Sequence, residues 1–333
     1  MKILVDGMGG DYSPEEIVKG VVKAAAEIDE TVLIIGPEHQ LSALLDKYKA
    51  GNNIVVIDAP EVIRNEEAPA MAIRKKKHST IVKGMEMLKQ GDADVFISAG
   101  STGALLAGSL LLLGCIKGIK RPAIAAWLPT TAENGETLLL DCGANSDCKE
   151  EYLYQFGLMG SLFVKSVKGI DTPIVKLLNV GAEEGKGDTL HKKAYELFSD
   201  GPFEFQGNIE GRDVLFSNAD VVVADGFSGN VFLKTCEGTV QCLTGILKNK
   251  LSEGILAKTG SAFAHGKLKE VKSTFDYSNA GGAPILGIKG AVLKIHGNAK
   301  EKDVYNAILK AVPFVNNDVT GMIEKAITSH ENN

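Results

Sequence analysis

The stretch Val95-Phe96-Ile97-Ser98-Ala99-Gly100-Ser101-Thr102-Gly103-Ala104 holds the strand, turn and helix start that set the fold. Residues 94–99 are mostly apolar and run into turn formers, the signature of a buried strand. Residues 103–116 follow with helical length and few polar positions. Outward from there the same unit recurs. Further strands are predicted at 2–6, 31–36, 53–57, 123–128, 137–141, 174–179, 220–224 and 291–296. Further helices are predicted at 14–27, 38–49, 79–90, 149–168, 188–198, 230–257 and 303–328. Alternating strands and helices imply βαβ crossovers and a mainly parallel sheet with helices on both faces, a Rossmann-like three-layer α/β fold. There is no internal repeat and no long Pro, Gly or Ser-rich linker. Residues 1–333 are expected to form a single large α/β unit, of one lobe or two, ending in a frayed tail at 329–333.

Composition narrows the class. With 333 residues, 44% hydrophobic and 23% charged, the chain matches a soluble globular protein. It needs no disulfide or metal staple at this size. Glycine is frequent, 37 residues, and aromatics make only 6%. That favours tight turns and close backbone approach to a ligand over base-stacking platforms. The net charge of −6 carries no footprint for nucleic acid. Only Arg64, Arg74, Arg121 and Arg212 are arginines, so bidentate grips on anions are scarce. The five cysteines form neither a zinc pattern nor a disulfide framework, which predicts a reducing cytoplasm. No signal peptide is visible. The longest apolar stretch, Ala104–Ile116, falls short of the ~20 residues of a membrane span.

In open parallel sheets, ligands sit beyond the carboxyl ends of strands, so the loops there are the expected seat of the chemistry. Asp6-Gly7-Met8-Gly9-Gly10-Asp11 follows the first strand, but Tyr12 stands where a dinucleotide fingerprint has its third glycine. The loop is a tight turn or a backbone contact for phosphate or an acyl group. Gly100-Ser101-Thr102-Gly103 can bind an anion at a helix start, with the hydroxyls as ligands or as caps. In Asp141-Cys142-Gly143-Ala144-Asn145, Asp141 and Asn145 orient a substrate or cap the next helix; no neighbouring histidine supports Cys142 as a nucleophile. Asn179 leads into a loop where Lys186 stands between Gly185 and Gly187. Asp225 is a candidate general base or orienting acid, and Asn230 an oxyanion donor or cap. Gly281-Gly282 suits a backbone oxyanion hole, and His296 ends the last strand.

Two surfaces suggest partners. Arg74-Lys75-Lys76-Lys77 is the densest basic run, either a solvated face or a dock for an acidic partner. Along the predicted helix from 230, Val240, Leu243, Leu247, Leu251 and Ile255 fall on one stripe, with Leu256 beside its far end. Lysines enrich residues 248–272. Segment 230–272 is thus a core or dimer helix, or an apolar and basic tip for a membrane or partner.

The ordered segments Val5–Asp11, Ile97–Ala104, Asp141–Asn145, Asn179–Gly181, Asp225–Asn230, and Tyr277-Ser278 through Ala283 with His296-Gly297 resemble one family. They are similar to the bacterial phosphate acyltransferases of phospholipid synthesis, the acyl-[acyl-carrier-protein]:phosphate acyltransferases. Two departures are small: Gly7 stands where the family usually has Ala, and Cys142 where Val is common. The resemblance implies an isopropylmalate dehydrogenase-like fold and a homodimer peripherally attached to the inner face of the membrane. It implies transfer of a long-chain acyl group from acyl carrier protein to inorganic phosphate, the product feeding a membrane glycerol-3-phosphate acyltransferase. No metal or organic cofactor is called for. In that scheme phosphate lies on the 100–103 loop with Lys186 and Asn145 close by, Asp225 or His296 moves a proton, and Asn230 with Gly281-Gly282 faces the thioester oxygen. Competing expectations are an acyl-CoA or acetyl-CoA:phosphate acyltransferase, a NAD- and metal-dependent hydroxyacid dehydrogenase, and a membrane-tethered scaffold.

Overall fold

The computed structural model describes residues 1–275 and 281–331, leaving aside the side chains of 255–258, 260–262, 265, 272, 273 and 329–331. Eleven described strands form one sheet: β1 (Lys2–Asp6), β2 (Thr31–Gly36), β3 (Ile54–Asp58), β4 (Val95–Ser98), β5 (Ala123–Pro129), β6 (Glu136–Leu140), β7 (Ile174–Asn179), β8 (Glu204–Glu210), β9 (Val221–Val223), β10 (Ala283–Leu286) and β11 (Ala291–Lys294). Their order is β3-β2-β1-β4-β11-β10-β5-β6-β9-β7-β8. Inner strands are buried on both faces, which explains their unbroken apolar runs. Ile3 and Val5 of β1 enter one core layer, and Leu4 enters the other. Edge strands β3 and β8 instead carry alternating or partial exposure.

Pairing is parallel except around β10, which runs antiparallel to β11 and β5, and between β5 and β6. The two halves of the sheet therefore run in opposite senses. Their register brings the functional ends together. Ile97 pairs with Leu293 and Pro284 with Leu293; next, Ile285 pairs with Ile124; then Ala125 pairs with Leu140 and Leu140 with Val223. The carboxyl ends of β4, β11, β6 and β9 thus reach one level across the sheet from opposite directions. A cleft lined from both halves results.

Several predicted helices are divided. The segment read as 103–116 is α5 (Thr102–Gly108) continued by a π-helical turn over Ser109–Leu113, which Gly114 ends at φ 80°. The helix read as 230–257 begins earlier, because Asp225 caps it, and stops at α8 (Gly226–Leu251). Gly254, at φ 81°, opens the separate α9 (Gly254–Thr274). The helix read as 303–328 is α10 (Glu301–Asn316), with Pro313 in its last turn, and α11 (Val319–Glu331). Asp318, at φ 48°, makes the break. Helix α11 also runs into the tail expected to fray. Other helices kept their boundaries: α4 (Thr80–Gln90) is capped by Ser79 and closed by left-handed Gly91.

Candidate active site

The cleft has a volume of about 480 Å³. Its polar lining comes from Thr102 at the start of α5, from Asn230, Lys234 and Glu237 on α8, and from Lys294 and His296 at the end of β11. Gly103, Gly143, Gly282 and Gly297 bring backbone to its surface. Leu106, Ile124, Ala126, Trp127, Leu233 and Ile295 form an apolar wall.

Helix α8 is aimed at this space by a network beneath it. The Asp141 carboxylate accepts backbone N–H groups from Ile124, Gly143, Ala144 and Asn145 at 2.8–3.2 Å. Asn145 donates to Asp141 and to the carbonyl of Pro122. Asp225 caps α8 through the N–H groups of Phe227 and Ser228 at 3.0 and 2.9 Å. Gly229 lies so close to the Asp141 carbonyl oxygen that a Cβ there would overlap it. Asn230 is thereby pressed to Gly143, its amide nitrogen 2.9 Å from where a Gly143 Cβ would stand.

The opposite wall is built as tightly. Ser98 Oγ donates to buried Asp6 at 2.7 Å, and the Met8 N–H donates to the same carboxylate. Burial pushes the Asp6 carboxyl above its ordinary range, against these hydrogen bonds. At Gly10, φ 93°, a Cβ would meet the Gly297 carbonyl at 2.8 Å, and the Asp11 N–H donates to that same oxygen. Gly9 packs its backbone on Gly100 in the same way. The loops after β1, β4 and β11 are thus clamped backbone to backbone.

Lys234, Glu237 and His296 meet inside the cleft. Lys234 Nζ lies 2.7 Å from Glu237 Oε2, and His296 Nε2 lies 3.5 Å from Glu237 Oε1. That Oε1 is buried and has no hydrogen-bond partner among the described residues. Desolvation by the cleft wall lowers the affinity of His296 for a proton; Glu237 pulls the other way, while Lys234 and Lys294 add to the lowering. The ring keeps 49% of its side-chain surface exposed, so it can reach a ligand. Cys142 is buried, donates its thiol to the Leu139 carbonyl, and is pushed well above the ordinary thiol range by burial and by Asp141. It is a wall residue without thiolate character.

Of the residues singled out by sequence, Thr102, Gly103, Asn230, Gly282 and His296 line this cleft. Ser101 caps α5 by accepting the Ala104 N–H. Asp6 and Asp141 commit both carboxylate oxygens to the supporting loops, whereas Asn145 commits its amide nitrogen and Asp225 one oxygen. Gly100 gives its N–H to Ser98 Oγ. Gly281 backs onto Lys310 of α10. Asn179, Lys186 and Gly187 sit outside the lining, in the loop after β7. Asn179 donates there to the Lys186 carbonyl and to Asn208, and the exposed Lys186 lays its stem on Gly181. In the basic run, Lys76 is tied to Glu67 at 2.7 Å and to the Val62 carbonyl, whereas Arg74, Lys75 and Lys77 are exposed. Leu251 is half-buried at the end of α8; the side chains of Ile255 and Leu256, and residues Tyr277 and Ser278, lie outside the described residues. Sequence reasoning missed Lys234, Glu237 and Lys294. The first two were within reach, since Asn230, Lys234 and Glu237 step by four and three along one helix face.

Among the described residues no group of His, Cys, Asp and Glu is arranged to hold a metal ion. No described helix is long and apolar enough to cross a membrane.

Known proteins resemble this chain at two levels. A family model described as fatty acid synthesis protein matches residues 1–322. A phosphate acyltransferase of Caldanaerobacter subterraneus subsp. tengcongensis is 48% identical over 328 residues, covering 98% of this chain and 97% of the relative. One from Clostridium novyi is 44% identical over 332 residues, covering 99% and 98%. Among solved structures, EutD phosphotransacetylase from Staphylococcus aureus superposes with a TM-score of 0.60 at 18% identity, over 95% of this chain and 94% of that one. A 4-hydroxythreonine-4-phosphate dehydrogenase from Klebsiella pneumoniae gives 0.57 at 14% identity, over 94% and 99%. These two likenesses show the shared fold.

Proposed function

Because the chain belongs to the phosphate acyltransferase family, enzymes of fatty acid synthesis that move an acyl group to phosphate, we propose that its donor is a long-chain acyl thioester of acyl carrier protein. The products are then acyl phosphate and the free carrier thiol, and the acyl phosphate supplies a membrane glycerol-3-phosphate acyltransferase in phosphatidic acid synthesis. One observation carries this: a single cleft is lined both by the polar Thr102, Asn230, Lys294 and His296 and by the apolar Leu106, Trp127, Leu233 and Ile295.

The chemistry asks little of a covalent nucleophile. An oxygen of hydrogen phosphate attacks the thioester carbon, the C–S bond breaks, and the proton of the phosphate hydroxyl ends on the departing sulfur. Atoms and charge balance without a cofactor. A thiol of pKa ~8.5 leaves readily. The remaining tasks are to position phosphate, hold the developing oxyanion and relay one proton. Asn230 and the Gly281-Gly282 backbone are assigned to the oxyanion. His296, held toward its neutral form, is assigned to the relay. The 100–103 turn takes phosphate, with the backbone of Gly9 and Gly10 behind it. Lys186 and Asn145 remain candidates for phosphate contact, and Asp225 for the proton.

The carrier protein is acidic, and exposed Arg74, Lys75 and Lys77 give it a basic face to meet. The exposed apolar residues of α8 and α9 are assigned to the membrane surface and to a second copy of the chain. The test is phosphate-dependent release of carrier thiol from palmitoyl-carrier protein, with hydroxylamine trapping of acyl phosphate. Release only from acetyl-CoA or long-chain acyl-CoA, with none from the carrier thioester, overturns the donor assignment.

A further inference from the structure

Lys294 stands where β11 ends and lines the cleft. Its Nζ donates to the Ala99 carbonyl at 3.3 Å and to the Ile295 carbonyl. It therefore ties the end of β4, just before the Gly100–Gly103 turn, to the end of β11. An ammonium has three donors, so one remains for a ligand. The residue makes no ion pair among the described residues. Asp6 commits its oxygens to Ser98 and Met8, and Lys234 is matched by Glu237. None of the four arginines lines the cleft, and neither does Lys186. A half-buried cation with no carboxylate in contact is costly, and an anion entering from solvent reduces that cost.

We propose that the Lys294 ammonium is the cation that binds and orients the phosphate nucleophile. This deepens, and rests on, the acyl-transfer reading above. The electrostatics agree. Burial pushes the ammonium down from its ordinary 10.5 to about 8, with Lys234 pushing the same way and Asp6 and Asp11 opposing. Glu237 and His296 face the same space from α8 and from β11's end. The charge is held at pH 7 and is lost as pH rises through about 8 in the unliganded protein.

Steady-state kinetics at varied phosphate, with phosphate calorimetry on the free enzyme, should compare wild type with Lys294→Met and Lys294→Arg. The Met variant is expected to raise the phosphate KM and Kd tenfold or more while the acyl-donor KM stays within twofold. Wild-type kcat/KM for phosphate is expected to fall above pH 8, and Lys294→Arg, charged throughout, to flatten that fall. A merely structural lysine would lower stability or kcat without this split. A Met variant with the wild-type phosphate KM overturns the assignment, as does an Arg variant that keeps the alkaline decline. If the Met variant does not fold, the Arg profile decides. A wild type that binds phosphate through Lys294 but releases no carrier thiol removes the carrier-thioester donor and leaves the ligand assignment standing.

Discussion

At the scale of single residues, the site divides into groups that face the cleft and groups that hold them there. Asp141 is the clearest of the second kind. Replacing it with Ala strands the N–H groups of Ile124, Gly143, Ala144 and Asn145, each worth about 1–3 kcal/mol when buried and unpaired. Asp141→Ala is expected to lose several kcal/mol of stability, read as a lower urea midpoint. Glu237 acts through His296 as a positioning residue. Its charge raises the proton affinity of the imidazole. Glu237→Gln removes that pull, so His296 titrates at lower pH. If the neutral ring relays the proton, the acid limb of the kcat/KM profile moves to lower pH, and an unmoved limb removes His296 from the relay. Single letters in the sequence could not separate these classes. Asp141 reads as a substrate contact because strand-end caps and strand-end acids use the same residue, and only its hydrogen-bond partners show the cap.

At the scale of elements, α8 carries the most information. Its first turns are locked by Asp225 and by the contact of Gly229 with Asp141, and that fixes Asn230, Lys234 and Glu237 on the cleft. Gly229→Ala is expected to cost about 1–3 kcal/mol, as overpacking does, and to lower kcat by shifting Asn230. Gly238, in the same helix with nothing near its missing Cβ, is the control: Ala there is expected to be neutral or to add up to ~1 kcal/mol. Equal effects at the two sites, measured by denaturation, would refute a packing role for Gly229. The helices and most strands were legible because apolar period and turn residues agree with burial. The exceptions have local causes. Strand β10 is four residues long and contains Pro284, which argues against a strand. Strand β8 lies on the sheet edge with polar alternation, and α3 (Pro69–Lys75) is only seven residues. Missing β10 hid the reversal of strand sense, and with it the reason two sets of strand ends meet.

At the scale of the whole molecule, that meeting explains why Lys294 and Glu237, nearly sixty residues apart in sequence, share one cavity, a proximity no local motif encodes. It also leaves α8 emerging from the body beyond Glu237. Past that point only half-buried or exposed side chains are described on it, with Leu243 at 61%, Ile246 at 54% and Leu247 at 46% exposure, and Phe263 of α9 is 90% exposed. Exposed apolar side chains gathered along one helix mark a contact with a partner or a membrane, and neighbouring lysines favour an anionic surface. Leu243→Glu combined with Leu247→Glu changes residues outside the cleft lining. The double variant is expected to keep phosphate-dependent thiol release from soluble acyl carrier protein and to lose most of its co-sedimentation with anionic phospholipid vesicles. If it instead sediments as a monomer where the wild type is a dimer, with vesicle binding intact, the stripe belongs to the second copy of the chain. Charge repulsion works in both cases, so the two readouts, not the substitution, separate a lipid contact from a subunit contact.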